Sequence, residues 1–436
     1  MEKTKRFEKS SKTYILKNKD IDVLKFDYIK KIDKTAVGEY PSYEIKHIKI
    51  LNDDLLPKGY PKTVDSSRLK EWLTRRRIPR NRKNMEEVLT HAFKEFQFDK
   101  TNFLNYVDIS FGLSLNDSYW VVLEDRNEYK WKDYNLYQNK FSEILSLVAF
   151  GEKGLSQQEG IRTSPEYTTD GMLAKCWTVI NNEICLLKKS SEHYETEAYT
   201  EYYMAQIAEV MGFDHINYDI IKFHDNIVSS CKLFTNEEIG FVPMNYCLKK
   251  NDTFKEGGRL LEAVTKIMGK TAVEDIMVLD SLIYNTDRHL GNYGMLINND
   301  TGEYVSPAPI FDNGNSILSL IKDKPVSEVF KQYTSRIGVD FDTLSNNFVQ
   351  ERHKKGLEKL KDFKFVRHPK FNLPEELLEK AEMFISQRAR FIEKQLEKKL
   401  EKNLERAEIE EKAIKKIHGQ NLKIKKKNQK MKDKIK

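Results

Sequence analysis

Residues 280–316 read DSLIYNTDRHLGNYGMLINNDTGEYVSPAPIFDNGNS and carry the most specific chemical pattern of the chain. Asp287 precedes Asn292 by five positions, and an apolar run leads to Asp312 just before an Asn-Gly turn. Phosphoryl transfer from ATP needs one carboxylate that orients the attacking hydroxyl, and hard oxygen ligands that hold Mg²⁺. The spacing therefore predicts Asp287 as the catalytic carboxylate, with Asn292 and Asp312 as the metal ligands.

Each part of this pattern has a simpler explanation when it is taken alone. The spacing D-x-x-x-x-N occurs by chance, and Asp-Asn-Gly is an ordinary turn sequence. Arg288 and His289 could form a buried ion pair or a hydrogen-bond network. The order, spacing and loop context of the polar residues together favour the phosphoryl-transfer hypothesis.

Upstream residues offer the lysine and glutamate that such a site also needs. The segments GMLAKCWTVI and EICLLKK are joined at Asn181 and Asn182, which predicts a β-hairpin. Lys188 at the end of the second strand is the candidate phosphate-binding lysine, and Lys189 is the alternative if the register shifts by one residue. A helix is predicted over residues 192–212. Its candidate partners for the lysine are Glu195, Glu197 and Glu201.

The segment SPEYTTDGMLAK, residues 164–175, is the candidate loop over the phosphates. It contains only Gly171 and ends at Lys175, so it lacks a G-x-G-x-x-G pattern. The hydroxyl groups in this loop are candidates for autophosphorylation. They belong to Ser164, Thr168 and Thr169.

These segments resemble the HipA-like kinases, a bacterial serine/threonine kinase family that includes CtkA-type kinases and is distantly similar to phosphoinositide 3/4-kinases. The resemblance covers about residues 160–390 and rests mainly on NTDRHLGNYG and PIFDNG. It implies a two-lobed kinase fold that binds ATP and Mg²⁺. It also implies Lys188 as the ATP-phosphate lysine and Glu201 as its partner, although EAYTE departs here from the family's E-P-Y pattern.

The same resemblance implies a hinge near Cys231–Phe234 that offers backbone groups to adenine. With the loop and the motif residues, this gives a set of nucleotide-binding candidates. They are Gly171, Lys175, Lys188, Cys231, Lys232, Phe234 and His289.

The sequence predicts an α+β chain of four regions. These are an accessory region over 1–150, a kinase N-lobe over 160–250, a mainly helical C-lobe over 251–390, and a charged helix with a Lys-rich tail over 391–436. A hairpin is expected around Lys17–Asp20, and helices are expected in SSRLKEWLTRRR, NMEEVLTHAFKEF and NKFSEILSLVAFG. A long helix should begin at Pro374 and fray beyond Gly419.

Charge is distributed unevenly along the 436 residues. The net charge is +7, yet residues 411–436 hold eleven Lys against two acidic residues, so the rest of the chain is nearly neutral. Two basic clusters, TRRRIPRNRK and the tail, could contact nucleic acid, but a solvated helix face and a solubilising tail are the favoured interpretation. The four cysteines form no C-x-x-C pair, and no signal peptide or membrane span is apparent, so a cytoplasmic protein is expected.

These observations predict a Mg-ATP-dependent serine/threonine kinase that acts on an unknown protein substrate. The alternatives are a lipid or small-molecule kinase, and an inactive kinase fold that binds protein or nucleic acid. The resemblance is compatible with a toxin–antitoxin growth regulator, a defence kinase or a secreted effector. The oligomeric state is left open.

Overall fold

The computed structural model describes residues 10–35, 38–59, 65–76, 104–139, 141, 150, 164–165, 173–191 and 195–435. Its strands are β1 (Ser10–Asn18), β2 (Ile21–Thr35), β3 (Gly38–Ile50), β4 (Tyr119–Leu123), β5 (Lys175–Ile180), β6 (Glu183–Lys189), β7 (Tyr218–Phe223), β8 (Asn226–Lys232), β9 (Ile239–Pro243), β10 (Gly294–Asn298) and β11 (Tyr304–Pro307).

The helices lie mostly in the second half of the chain. They are α1 (Ser66–Arg75), α2 (Asn105–Ser110), α3 (Trp131–Tyr134), α4 (Glu197–Met211), α5 (Met244–Cys247), α6 (Gly257–Met268), α7 (Lys270–Ile283), α8 (Ile317–Ile321), α9 (Val326–Gln332), α10 (Phe341–Phe348), α11 (Lys354–Leu360) and α12 (Glu375–Ile435).

The accessory region is built on an antiparallel sheet with strand order β3-β2-β1-β4. The predicted hairpin is present, since β1 and β2 pair from Ser10↔Lys30 to Asn18↔Ile21. Helix α1 begins after Asp65, whose carboxylate accepts a hydrogen bond from the Arg68 backbone N–H at 2.7 Å. Leu69, Trp72 and Leu73 of α1 are buried in the same core as this sheet.

A second antiparallel sheet, with order β5-β6-β8-β7, lies in the region that the sequence predicts as the N-lobe. The hairpin of β5 and β6 turns at Asn181 and Asn182, both with positive φ (50° and 68°), as a two-residue hairpin turn requires. Lys188 pairs with Lys175 on one side and with Ser229 on the other. This register fixes which face of the sheet the lysine occupies.

The region predicted as the C-lobe contains helices α6 to α12 and the strands β10 and β11. Strand β9 lies inside the range predicted as the N-lobe, but it pairs with β10 in the sheet β11-β10-β9, so the predicted boundary at residue 250 does not separate the sheets. Its hydrophobic core includes residues of α4 and α7 and the first turns of α12, so the helix that carries Glu201 packs on the C-lobe core. The predicted helix start at Pro374 agrees with α12. The helix continues through Gly419 to Ile435, past the point where the sequence predicts fraying. Lysine favours helix, and one glycine costs only about 1 kcal/mol.

A third core joins the accessory region to the N-lobe. Leu115, Trp120 and Trp131 of the accessory region form a buried cluster, and Trp177 and Leu233 of the predicted N-lobe pack against it. The accessory region is therefore fixed beside the segment that follows β8, where the sequence predicts the hinge.

Several sequence predictions fall outside the described residues. These are the helix in NMEEVLTHAFKEF, most of NKFSEILSLVAFG, the boundary near 151–160, Gly171, Thr168 and Thr169. Within the described part of the chain, no helix combines the length and apolarity needed to cross a membrane.

Candidate active site

Lys188 lies between two carboxylates and is the centre of the site. Its ammonium group donates hydrogen bonds to Glu201 Oε1 and, at 2.6 Å, to Asp312 Oδ1. The other oxygen of Glu201 accepts a hydrogen bond from Ser229 Oγ at 2.5 Å. The structure thus brings together a lysine of β6, a glutamate of α4 and an aspartate that lies 124 residues beyond the lysine.

This arrangement distinguishes among the sequence candidates by position. Lys188, rather than Lys189, reaches the carboxylates. Glu195 is exposed and lies 3.8 Å from Lys322, and Glu197 accepts hydrogen bonds from Ser191. Glu201 is the helix glutamate that is buried, with 1% of its surface exposed.

Electrostatics keeps the Lys188–Asp312 pair ionised. Burial would raise the pKa of Asp312, but attraction and hydrogen bonding to the Lys188 ammonium outweigh it, so the pKa of Asp312 lies well below its usual range. Burial would lower the pKa of Lys188, and the two carboxylates raise it instead. Burial raises the pKa of Glu201, although Lys188 opposes that shift. Asp312 is therefore an anionic oxygen donor at neutral pH.

Asp312 has an unusual backbone conformation, with φ at 59° in the left-handed region. Its backbone N–H donates a hydrogen bond to Tyr218 Oη at 3.1 Å. The side-chain amide of Asn285 donates to the Asp312 carbonyl at 3.4 Å. These contacts hold the carboxylate at the turn that follows Phe311, as the sequence predicts for a metal ligand.

The loop after α7 is closed by its own hydrogen bonds. The Asp287 backbone N–H donates to Asn285 Oδ1 at 3.0 Å, and the Asn292 side-chain amide donates to the Asp287 carbonyl at 3.0 Å. Because the amide nitrogen of Asn292 is used, its side-chain oxygen is the atom that can face a cation. The five-residue spacing therefore corresponds to a compact loop that places the two side chains on one short segment.

Arg288 ties this loop to the Asp312 turn. Its guanidinium group forms a buried ion pair with Asp280, with Nη2 to Oδ1 at 2.9 Å and Nε to Oδ2 at 3.1 Å. It also donates to Asn313 Oδ1 at 2.6 Å and to the carbonyl groups of Asn292 and Phe311. The simpler interpretation of Arg288 from the sequence, a buried ion pair, is therefore confirmed, and this pair organises both loops.

A cavity of about 820 Å³ opens beside these residues. Most of the sequence candidates contribute to its wall, namely Lys175, Lys188, Cys231, Lys232, Phe234, His289, Asn292 and Asp312. Asp287 and Glu201 are described candidates that do not line the cavity. Asp287 adjoins it through the loop contacts with Asn292, and Glu201 through its hydrogen bond to Lys188.

Comparison with known proteins tests the resemblance to the kinase family. A serine/threonine-protein kinase, CtkA of Helicobacter pylori, is 27% identical over 162 residues, which cover 33% of this chain and 50% of that protein. The chain thus matches half the length of this curated relative. The resemblance to the HipA-like and CtkA-type kinase family is confirmed. No protein-family model matches the chain.

A solved structure extends the comparison to the fold. HipA of Shewanella oneidensis, in a toxin–antitoxin complex with HipB and operator DNA, matches at 11% identity and a TM-score of 0.51, covering 87% of this chain and 97% of that one. The crystal structure of CtkA covers 54% of this chain and 94% of that one, at 19% identity and a TM-score of 0.45. The match to HipA confirms the mixed α+β, kinase-like fold class.

Three residues that the sequence does not single out belong to this site. They are Tyr218, Ser229 and Asp280. Asp280 has a recognisable signal, because it is a carboxylate inside the apolar helical run IMVLDSLI and such residues are rarely buried unless paired. Tyr218 and Ser229 have no comparable signal, since their partners are distant in sequence.

Proposed function

We propose that the chain is a Mg-ATP-dependent kinase that phosphorylates serine or threonine hydroxyls of a protein. The observation that carries this proposal is the contact of Lys188 with both Glu201 and Asp312 at the wall of a large cavity. Kinases use such a lysine to contact the ATP phosphates, a helix glutamate to hold it, and an aspartate and an asparagine to bind metal.

The donor set fits Mg²⁺. The ion takes hard oxygen ligands, usually one or two from carboxylates with waters and substrate phosphates completing the shell. Asp312 is ionised and Asn292 has its side-chain oxygen available, and both belong to the cavity wall. When bound, Mg²⁺ would neutralise negative charge on the phosphates.

Lys188 and Asp287 would perform the remaining steps. Lys188, held by Glu201, would attract the phosphate oxygens of ATP. Asp287 would accept a hydrogen bond from the acceptor hydroxyl and take its proton as the hydroxyl oxygen attacks the γ-phosphorus. The bond from the γ-phosphorus to the bridging oxygen breaks, ADP leaves, and the phosphoryl group stays on the acceptor.

The adenine ring would bind between the two lobes, where the cavity wall is apolar. Leu186, Leu233 and Phe234 come from the N-lobe side, and Phe241 and Phe311 come from the C-lobe side. Phe234 and Phe311 have ring centroids 5.4 Å apart, and Phe234 and Phe241 have centroids 5.5 Å apart. This aromatic cluster lies next to the predicted hinge at Cys231–Phe234.

The test is transfer of radiolabelled phosphate from ATP to a mixture of acceptor proteins. We expect Asp287→Ala and Asp312→Ala each to lower the rate at least about 100-fold, because proton removal and metal positioning act in the transition state. Lys250→Ala, at an exposed position that does not line the cavity, is the control. Equal labelling by all four proteins would refute the proposal, and a nucleotide-dependent thermal shift without any transfer would indicate an inactive kinase fold.

A further inference from the structure

The cavity has a second wall, formed by the accessory region. Pro57, Lys58, Trp72, Arg75 and Tyr119 line the same space as Lys188 and Asp312. The proposed chemistry uses the kinase side of the cavity and gives these residues no role. A wall that faces the reacting groups is a candidate for contact with the acceptor.

This wall is held rigidly against the kinase body. The Phe241 backbone N–H donates to the Asn116 carbonyl at 2.7 Å, and the Asn18 side-chain amide donates to the Asn299 carbonyl at 2.7 Å. Trp131 Nε1 donates to Glu237 at 2.7 Å. The side chains on the wall therefore have fixed positions relative to the kinase loops.

The structure describes two arginines of the basic cluster TRRRIPRNRK, Arg75 and Arg76, and they differ in burial. Arg76 is buried, stacks on the Trp72 ring at 3.8 Å and bonds to the carbonyls of Gly112 and Tyr119, with Asp117 as its counter-ion. It is part of the wall itself.

Arg75 instead remains about half exposed, with its guanidinium 4.7 Å from the Tyr246 ring centroid. Its ion pair with Glu71, at 2.7 Å, is exposed and spans one helical turn, so it is weak and easily exchanged. Arg75 can therefore bind an anionic ligand, and the Tyr246 ring holds the guanidinium group in position.

Lys58 is a second cation on this wall. Its ammonium lies 5.2 Å from the Tyr304 ring centroid. Among the residues that the structure describes, no carboxylate forms an ion pair with this ammonium group. Lys58 and Arg75 both rest on aromatic rings outside the accessory region, Tyr304 and Tyr246, and both cations line the cavity.

The cavity wall as a whole carries more positive than negative charge. Its cations are Lys58, Arg75, Arg76, Lys175, Lys188 and Lys232, and its anions are Asp117 and Asp312. Arg76 has Asp117 as a partner, Lys232 pairs with Glu183, and Lys188 is the proposed ATP ligand. Lys175 lies close enough to Asp312 to lower the pKa of that carboxyl and is a nucleotide-binding candidate. Lys58 and Arg75 are the two cations that these roles leave for another ligand.

Lys58 and Arg75 lie on the side of the cavity where we expect the acceptor to bind. The Asn245 backbone N–H donates to the Leu290 carbonyl at 3.3 Å, so the segment that carries Tyr246 is bonded to the loop of Asp287 and Asn292. Arg75 stacks on that same Tyr246. A peptide whose hydroxyl reaches Asp287 would pass this surface.

We propose that Lys58 and Arg75 form a subsite for an acidic side chain that flanks the acceptor hydroxyl of the protein substrate. The inference rests on the proposed kinase function and specifies its substrate class. An acidic peptide fits better than nucleic acid, because two cations inside a concave site suit one or two carboxylates, whereas nucleic-acid binding uses an extended basic stripe.

The experiment measures binding of two fluorescein-labelled peptides by the full chain. The peptides share a central Ser and differ only in three flanking residues, which are Glu in one and Lys in the other. We expect the Glu peptide to bind at least tenfold more tightly at low salt, with the difference shrinking as salt rises. In the double variant Lys58→Glu/Arg75→Glu this preference should disappear, and Lys58→Ala/Arg75→Ala should lose most of it.

Lys70→Glu is the matched control, since Lys70 is exposed on the same helix as Arg75 but does not line the cavity. It should keep the preference. In transfer assays, Lys58→Glu/Arg75→Glu should raise KM for the Glu peptide about tenfold and leave KM for ATP within twofold. This split separates the subsite from nucleotide binding.

Other outcomes would overturn the proposal. These are equal binding of both peptides, an equal effect of Lys70→Glu, or tighter binding of a single-stranded oligonucleotide that is lost in the double variant. If the Glu peptide binds with the expected charge dependence but no Asp287-dependent transfer occurs, the kinase proposal fails and the acidic-ligand subsite stands.

Discussion

Asp312 combines a strained backbone with a central position in the proposed site. A left-handed φ of 59° costs a non-glycine residue on the order of 1 kcal/mol, and aspartate is among the residues that tolerate it best. The cost is offset by the ion pair with Lys188 and by the hydrogen bond from the Asp312 backbone to Tyr218. Strain held by neighbouring groups in this way is typical of functional positions.

Tyr218 should therefore position Asp312. We expect Tyr218→Phe to keep the fold but to raise the Mg²⁺ concentration for half-maximal transfer about three- to tenfold, because one hydrogen bond contributes about 1 kcal/mol. A Mg²⁺ titration of the transfer rate measures this effect. Tyr199→Phe, which removes a hydroxyl from a partly buried tyrosine of α4, is the control. An unchanged titration in Tyr218→Phe would exclude the positioning role.

The residues of the site differ in how far the sequence can predict them. Asp287 and Asn292 are five positions apart, so their contact is local and the sequence pattern predicts it. The partners of Lys188 are harder to predict, because the sequence offers three glutamates on one predicted helix. Tyr218 lies 94 residues from Asp312, and only the fold brings them together.

At the level of single elements, local sequence signals predict whether a segment is helix or strand better than they predict where it begins and ends. The predicted helix over 192–212 begins at Glu197 in the structure, because Glu195 has a positive φ of 57° that interrupts any earlier helix. Its end is predicted well, since Gly212 adopts the left-handed conformation that closes helices. The helix start depends on contacts of Glu197 with Ser191, which no helical periodicity reveals.

Glu382 anchors α12 to the segment before it. Its carboxylate accepts hydrogen bonds from Lys364 at 2.8 Å, from the Phe365 backbone N–H at 3.0 Å and from Arg367 at 2.6 Å. Burial would raise the pKa of Glu382, but these donors outweigh it and the net shift is downward. A lowered pKa means that the stabilisation is present above the ordinary glutamate range and is lost as pH falls through the folded-state pKa.

We expect Glu382→Gln to lower the free energy of unfolding at pH 7 by about 1–3 kcal/mol, since a charged acceptor is lost. The difference from wild type should shrink as pH falls below about 4.5, where the unfolded chain binds a proton. Urea denaturation at pH 7 and at about pH 4 measures both values. Glu376→Gln, at an exposed position of α12, should change little at either pH. A difference that grows toward acid would contradict this prediction.

At the scale of the whole molecule, the accessory region and the kinase body share one structure. Their contacts join residues that are 120 positions apart for Thr235 and Leu115, and 281 positions apart for Asn18 and Asn299. Sequence periodicity predicts each sheet and helix but contains no information about such distant pairing. The accessory region was therefore predictable as a separate unit, and its place as a wall of the cavity was not.

Gly240 lies at the contact between the accessory region and β9. A Cβ atom there would come within 2.4 Å of Asn299 Oδ1 and 2.8 Å of the Asn116 carbonyl oxygen. Asn116 is the accessory residue whose carbonyl accepts the Phe241 backbone N–H. An added methyl group must therefore push the accessory loop away from β9, and overpacking of this kind costs about 1–3 kcal/mol.

We expect Gly240→Ala to lower Tm by a few degrees, on the order of 2–6 °C. We also expect the wild type to unfold in one calorimetric transition and Gly240→Ala in two, because the accessory region of the variant would unfold before the kinase body. Gly258→Ala is the matched control, since no atom lies within 4 Å of its added Cβ and alanine favours helix α6. If Gly240→Ala unfolds in one transition at the wild-type Tm, the accessory region does not depend on this contact, and a rigid second wall of the cavity loses its structural basis.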